Sequence, residues 1–316
     1  MDHRHKQVLV LGANPAWQKT VVCDRLVPGE VVRVRLEASG AAGKGFNTAR
    51  AVRAFGIPVR LVSAAGPDAS EWQEACRDEG IPVALFPIRG RIRTATTVHD
   101  LATGEVTEIV EEGPEAADGA ELALESALRQ DSGRVSMAAV AGTFPQGLSP
   151  RLAMEVLSGL DVPVVLDSVP GLRALRDGAP CPSRAILKLN ETEWTSLLGE
   201  PDLSTALRQA RRLWPSSDLL ATRGKAGAVL VQGDGARFAL VAEPYPMDVR
   251  VQPIGGGDAF TGGLLVGLSN GSSLLEAACH GMAVARASCL NPLPARFSME
   301  EVAISLGLVR AEPIDA

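Results

Sequence analysis

Aromatic side chains are scarce in this sequence, at 4% of 316 residues with a single tyrosine. That leaves no row of rings on which nucleic-acid bases would stack. Basic charge is not in excess either. The formal net charge is −6, and Lys and Arg are scattered rather than clustered, so no nucleic-acid partner is expected. No stretch reaches the roughly 18 uninterrupted apolar residues of a membrane span. The opening MDHRHKQ is polar and runs directly into VLVLG, which reads as a first core strand and not as the apolar region of a signal peptide. The five cysteines (Cys23, Cys76, Cys181, Cys279 and Cys289) are odd in number and lack CxxC spacing. They read as reduced, mostly buried thiols of a cytoplasmic protein, in which the sequons at Asn190 and Asn270 go unused. Internal repeats and low-complexity linkers are also missing.

What is present is apolar and patterned. With 46% hydrophobic residues the chain can bury a substantial core, and its length suits one large α/β domain with a small appendage, or two domains. Short apolar runs at 8–14, 59–65, 137–142, 162–168, 185–190 and 219–224 predict strands. Amphipathic segments such as 68–79 and 118–130 predict helices between them. Continuous apolar strands separated by helices indicate a parallel sheet covered on both faces. Several runs end in small or polar residues (Asn14, Gly142, Asp167, Asn190, Gly224), and open α/β sheets bind ligands beyond the carboxyl ends of their strands.

Two segments break this alternation. Residues 20–36 hold two β-like runs around a Pro-Gly turn, and residues 94–111 read as a hairpin turning at Thr103-Gly104. Together they predict a small antiparallel sheet, serving as a lid or a dimer surface. The plainer alternative is a pair of ordinary edge hairpins.

Two glycine-rich stretches carry the chemistry. SGAAGKGFNTARAV (39–52) imitates a nucleotide-cradling P-loop but fails its spacing. Only two residues separate Gly40 from Gly43, and Lys44 is followed by Gly45 where a P-loop has Ser or Thr. In VQPIGGGDAFTGGLLVGL (251–268), Gly255, Gly256 and Gly257 lead into an apolar helix with Asp258 at its start. Consecutive backbone N–H groups and the positive end of a helix dipole make an anion hole. A neighbouring aspartate can accept a proton from a hydroxyl, a combination suited to phosphoryl transfer. The simpler reading makes Asp258 a helix cap and the glycines a tight turn. Gly262 and Gly263, further along, indicate that something packs very close to this helix.

At these motifs the sequence resembles the ribokinase/PfkB carbohydrate kinases. GGGDAFTGG resembles that family's C-terminal signature, and GAAGKGFNTARAVRAFG its N-terminal one. NPAW, AGTFPQGLSP, LKLNETE and TRGKAG fall in order around and between them, so the resemblance runs from residue 14 to about 290. GKG, NPA and TEIVEEGP resemble the hexose-phosphate branch, which includes fructose-1-phosphate and tagatose-6-phosphate kinases.

The resemblance implies a single kinase domain over 1–316. Its fold would be a three-layer α/β/α sandwich with a mostly parallel central sheet and a small β-sheet lid, whose strands come from about 15–40 and 92–112. It implies ATP and Mg²⁺ as cofactors, a sugar phosphate as partner, and a homodimer through the lid. Asp258 would be the general base, with Gly255, Gly256 and Gly257 holding the transferring phosphate. Asn190 and Glu193 match an NxxE motif that organises Mg²⁺ and the nucleotide phosphates, Glu193 acting through water; Asn190 also reads as a helix cap. Thr222, Gly224 and Gly227 match a turn that supports the nucleotide. Asn14, Gln18, Gly43, Lys44, Asn47 and Arg93 fall on the sugar-phosphate side, whereas Arg91 reads as solvated. Asp167 is either a support for the nucleotide side or a structural cap.

Four positions depart from the family pattern. Gln18 replaces an aspartate that bonds a sugar hydroxyl, Pro253 replaces a threonine, Gly256 replaces an alanine, and KLN replaces KPN. The expected activity is ATP-dependent phosphorylation of a phosphorylated ketohexose of the fructose 1-phosphate, fructose 6-phosphate or tagatose 6-phosphate class. The alternatives are a kinase of an unphosphorylated sugar or nucleoside, and a catalytically quiet sugar-phosphate-binding protein.

Overall fold

A computed structural model describes residues 6–247 and 249–314. The apolar runs form strands in chain order: β1 (Gln7–Gly12), β2 (Ala16–Cys23), β3 (Arg35–Ala42), β4 (Val59–Ala65), β5 (Val83–Arg89), β6 (Arg93–Asp100), β7 (Val106–Val110) and β8 (Glu115–Ala116). They continue with β9 (Val135–Ala141), β10 (Val164–Asp167), β11 (Ala185–Asn190), β12 (Asp218–Thr222), β13 (Ala228–Val231), β14 (Arg237–Ala242) and β15 (Val309–Pro313). Eleven of them make one sheet in the order β15-β14-β13-β12-β11-β10-β9-β1-β4-β5-β8. From β12 to β5 the neighbours are parallel. The antiparallel strands β13, β14 and β15 extend one edge, and β8 caps the other. Of these short edge strands β8, β13 and β14 follow no α-helix, which is why the alternation of apolar runs and helices did not predict them.

Strand side chains alternate between faces, and each face carries its own core. Leu9 and Leu11 of β1 join the cluster formed with α3 (Ala120–Arg129), α4 (Pro150–Ser158), α5 (Val169–Arg176), α6 (Glu191–Leu198) and α7 (Leu203–Leu213). Val8 and Val10 point the other way, into the cluster made with α1 (Lys44–Ala54), α2 (Ala69–Asp78), α8 (Gly256–Ser269) and α9 (Leu274–Ser288). A further helix, α10 (Met299–Leu306), packs outside α9 through Val302. The three layers expected from the sequence are therefore present.

Strand order reverses beside β1. The chain steps outward from β1 to β4 and β5, then returns to β9 and steps the opposite way through β10, β11 and β12. Loops on the two sides of such a switch point diverge and leave a crevice at the carboxyl ends of the strands.

A second sheet of four strands, in the order β3-β2-β6-β7, stands apart from the first. It corrects the expectation of an antiparallel sheet, because β2 and β6 run parallel through eight paired residues from Ala16↔Arg93 to Cys23↔Asp100. Both strands begin excursions from the main sheet and lie side by side in the same direction. The Pro28-Gly29 turn does not close a tight hairpin either. Val31 and Val34 have no partner strand and lie 83% and 49% exposed, so pairing with β2 resumes only at Arg35 and continues into Gly40 and Ala42. Cys23 and Cys76 are buried, but Cys181 is exposed, and all five thiols are free. Among the described residues no helix is long and apolar enough to cross a membrane.

Candidate active site

A cleft of about 370 Å³ opens between the lid and the carboxyl ends of the central strands. Its floor is the start of α8. Gly255, just before the helix, has φ +79, and a Cβ there would lie 2.3 Å from that of Pro294, so only glycine fits. The expected close packing of α8 is present. A Cβ on Gly262 would fall 2.4 Å from the Cβ of Ala51, and one on Gly263 2.8 Å from Val284.

The three glycines are not equivalent. Gly256 donates its N–H to the Pro253 carbonyl at 3.2 Å and does not line the cleft, contrary to its expected place in the anion hole. Gly255 and Gly257 do line it. The Gly257 N–H has no backbone partner among the described residues, and it sits in the first turn of α8, where the helix dipole is positive.

Asp258 follows at once, 5% exposed. Its Oδ2 accepts a hydrogen bond from Asn47 Nδ2 at 2.8 Å. Burial pushes its carboxyl up to about 7; Lys44, Asn47 and Lys188 oppose that rise, and the Asp167 charge adds to it. An aspartate in that range holds and releases a proton at neutral pH, which a helix-capping aspartate does not do.

Lys44 opens α1, and α1 rests directly on β1: a Cβ on Gly45 would lie 2.2 Å from the Gly12 Cα. The ammonium reaches across the cleft, 3.2 Å from Glu193 Oε1 and 3.6 Å from Asp167 Oδ1. Asp167 first, then Asp258 and Glu193, hold Lys44 charged well above the usual lysine range, against the cost of its burial. Lys44 therefore lies beside Glu193, which the resemblance gave to the nucleotide, while its charge also acts on Glu108 of the lid.

Asp167 ends β10 and is fully enclosed. Burial disfavours its charge, but Lys188 and Lys44 outweigh burial and hold the carboxyl below its usual range. Lys188 Nζ lies 2.6 Å from Asp167 Oδ2, and Thr261 donates to the same oxygen at 2.8 Å. Lys188 lines the cleft and was missed from the sequence. Its signal was a lysine inside an otherwise apolar buried strand, AILKLN.

Asn190 and Glu193 form a reciprocal capping box at the start of α6, so the cap reading and the cleft reading hold together. Thr222 and Gly224 line the same wall. Gly227 does not. It shapes the turn behind them, where a Cβ would lie 2.0 Å from the Leu240 carbonyl oxygen.

The lid supplies the opposite wall. Gln18 is 3% exposed, and its amide donates to Thr97 Oγ1 at 2.8 Å and to the Lys19 carbonyl at 3.3 Å. Arg93 and Glu108 line the cleft from the adjacent strands β6 and β7; neither side chain makes a hydrogen bond or ion pair among the described residues, though the two charges act on each other. Glu108 was also missed, although it stands in TEIVEEGP; it faces the cleft because it alternates with Ile109 on its strand. Asn14 is not a lining residue. Its amide turns to Thr143 Oγ1, 3.0 Å away, behind the wall. Arg91 is exposed, as expected.

No group of three or more His, Cys, Asp or Glu side chains able to hold a metal occurs among the described residues. Mg²⁺ needs no such cage, since it keeps several waters and is held by one or two carboxylates together with substrate phosphates. Glu193 lines the cleft with a partly exposed carboxylate that could serve as one of these.

A family model described as "pfkB family carbohydrate kinase" matches residues 11–300. The chain is 26% identical over 307 residues to the ATP-dependent 6-phosphofructokinase isozyme 2 of Mycobacterium tuberculosis, covering 95% of this chain and 89% of that protein. It is 28% identical over 278 residues to the 1-phosphofructokinase of Escherichia coli, covering 83% and 84%. The structure of phosphofructokinase-2 from Escherichia coli, solved with substrates and products, superposes with a TM-score of 0.82 at 21% identity, covering 95% of this chain and 98% of that one. The fold is thus ribokinase-like, and the chain belongs to the pfkB family of carbohydrate kinases.

Proposed function

We propose that the protein transfers the γ-phosphate of ATP to a hydroxyl of a phosphorylated ketohexose, giving a bisphosphate and ADP. The observation that carries this reading is Asp258. It is a buried carboxylate lifted to about 7 beside the free N–H of Gly257, in a cleft whose other wall carries the unpaired Arg93. The curated relatives are named for phosphorylating fructose phosphates, at either of two positions.

Asp258 takes the proton of the acceptor hydroxyl as its oxygen attacks the γ-phosphorus. The bond from that phosphorus to the bridging oxygen of ADP breaks, and the Gly255 and Gly257 end of α8 receives the charge on the phosphoryl oxygens. Lys44, held between Glu193 and Asp167, is placed to contact the transferring phosphate, and Lys188 supports the same region from behind Gly257. This moves Lys44 from the sugar-phosphate side to the transfer centre. Arg93 is then the cation for the phosphate already on the sugar, with Gln18 and Glu108 facing its hydroxyls. When bound, Mg²⁺ beside Glu193 supplies charge neutralisation to the nucleotide phosphates. Asn190, Thr222 and Gly224 line the nucleotide wall.

ATP turnover across fructose 1-phosphate, fructose 6-phosphate, tagatose 6-phosphate, free fructose and a nucleoside tests the reading. Turnover confined to the sugar phosphates is expected. Turnover only with the uncharged acceptors overturns the role of Arg93, and binding without turnover makes the protein a sugar-phosphate sensor. A homodimer through the lid is a further part of the proposal, supported by Leu36 and Ile109, which are each 58% exposed on lid strands. Sedimentation of Leu36→Glu and Ile109→Glu variants tests it.

A further inference from the structure

Arg50 lies one turn along α1 from Asn47, 5% exposed, and does not itself line the cleft. A buried guanidinium is costly unless every donor is engaged, and here the donors are engaged in an ordered way. Nε and one Nη of Arg50 grip the Glu79 carboxylate at 2.6 and 2.8 Å. The same Nη donates to the Ala41 carbonyl at 2.8 Å, and the other to the Pro294 carbonyl at 2.9 Å. The plane stacks 4.6 Å from the Phe46 ring centroid. That second Nη also points at Asn47 Oδ1, 3.4 Å away.

The last contact decides the polarity of the Asn47 amide. One end of a primary amide only accepts and the other only donates. With Oδ1 drawn to the Arg50 cation, the NH₂ end faces Asp258, where it donates at 2.8 Å. The flipped amide would set its oxygen against the carboxylate of Asp258 and its NH₂ against a guanidinium, which repels at both ends. Arg50 also holds Pro294, whose ring packs on Gly255.

We infer that Arg50 is a positioning residue for phosphoryl transfer, fixing the Asn47 amide so that it donates to Asp258 and holds the Asp258 carboxylate toward the acceptor. The inference rests on the reading of Asp258 as the base. The charged groups facing Asp258 are Lys44 from α1, Asp167 from β10 and Lys188 from β11. Those facing Arg50 are Glu79, itself bridged to Arg296, and the buried thiol of Cys76. A hydrogen bond to the ionised form lowers a carboxyl pKa, so losing this one raises it.

The test is kcat/KM for the sugar phosphate against pH in the wild type, Arg50→Lys, Asn47→Ala and the double variant, with thermal melts as a check on folding. Each single variant is expected to move the midpoint up by about one pH unit, with the double variant no further shifted than Asn47→Ala. Glu79→Gln, which loosens the clamp from outside, is expected to shift it the same way by less. It serves where Arg50→Lys does not fold. A midpoint left at the wild-type value in Arg50→Lys and Glu79→Gln, with only lowered melting temperatures, overturns the inference and leaves Arg50 a structural clamp. An additive shift in the double variant overturns it too. Asp258→Asn separates the two readings, because persistence of the pH dependence in that variant removes the base itself rather than its positioning.

Discussion

Lys188 and Asp167 form an ion pair of 2.6 Å with 2% and 3% of their side chains exposed, directly behind the first turn of α8. Removing one partner of such a pair strands a charge in the interior, at a cost of about 3–5 kcal/mol. Asp167→Asn is therefore expected to lower stability by that order in urea unfolding at pH 7, whether or not substrate is present. The Asp167 carboxyl is held below its unfolded value, so its contribution is complete above that value and disappears as pH falls through the folded one. The loss caused by Asp167→Asn should accordingly shrink at low pH.

The Asp258 carboxyl titrates near 7, and it accepts a proton only when ionised. Wild-type kcat/KM should rise with pH to a plateau, with its midpoint near that value. Asp258→Asn should lower kcat by about 10²–10⁴-fold while leaving ATP binding nearly intact, as calorimetry would read. Stability moves the other way. The folded state binds this proton more tightly than the unfolded chain, so the group's contribution is lost as pH rises toward and beyond 7. Asp258→Asn should gain thermal stability over the wild type at pH 8 compared with pH 5.

On the proposed reading, Arg93 and Lys44 serve different phosphates. Arg93→Met is expected to raise the KM for the sugar phosphate by about 10–100-fold with a smaller change in kcat, since it loses a charged contact equally strong in ground and transition states. Lys44→Met should act mainly on kcat. Steady-state kinetics in both substrates decides the assignment, and the reverse pattern would return Lys44 to the sugar-phosphate side.

Gly255 and Gly256 should respond differently to alanine. At Gly255 the new Cβ meets the left-handed backbone and the Pro294 ring together, so Gly255→Ala should cost about 2 kcal/mol or more and depress turnover. At Gly256 the Cβ would lie 3.2 Å from the Cys289 sulfur, a contact relieved by a smaller partner. The thermal stability of Gly256→Ala should thus recover when combined with Cys289→Ala.

The central sheet was legible because its strands are continuous apolar runs whose two faces are both buried. Its antiparallel edge was not, since β13 and β14 are short and follow one another without a helix. The site was legible wherever a glycine or acid stood in a motif: Gly255, Gly257, Asp258, Lys44, Asn190 and Glu193 all meet in the cleft. Orientation was not. Nothing in NPAW tells that Asn14 turns to Thr143, or in GGGD that the Gly256 N–H is spent on Pro253. Lys188 and Glu108 stand inside LKLNETE and TEIVEEGP, yet neither was singled out there, and it is the sheet's alternation that brings them to the cleft. Gln18 keeps a polar side chain where the family pattern has an aspartate, yet its NH₂ is already committed to Thr97 and Lys19.

The glycine contacts of α8 also order the life of the chain. Lys44 and Asn47 leave the ribosome early and Asp258 late, and they meet only where α8 is seated between α1 and α9 with scarcely a methyl group to spare on either side. A chain that stops before α8 lacks Asp258 and so, on the proposed reading, has no base. On that reading phosphoryl transfer depends on α8 being seated, and any loosening of that helix should remove it first.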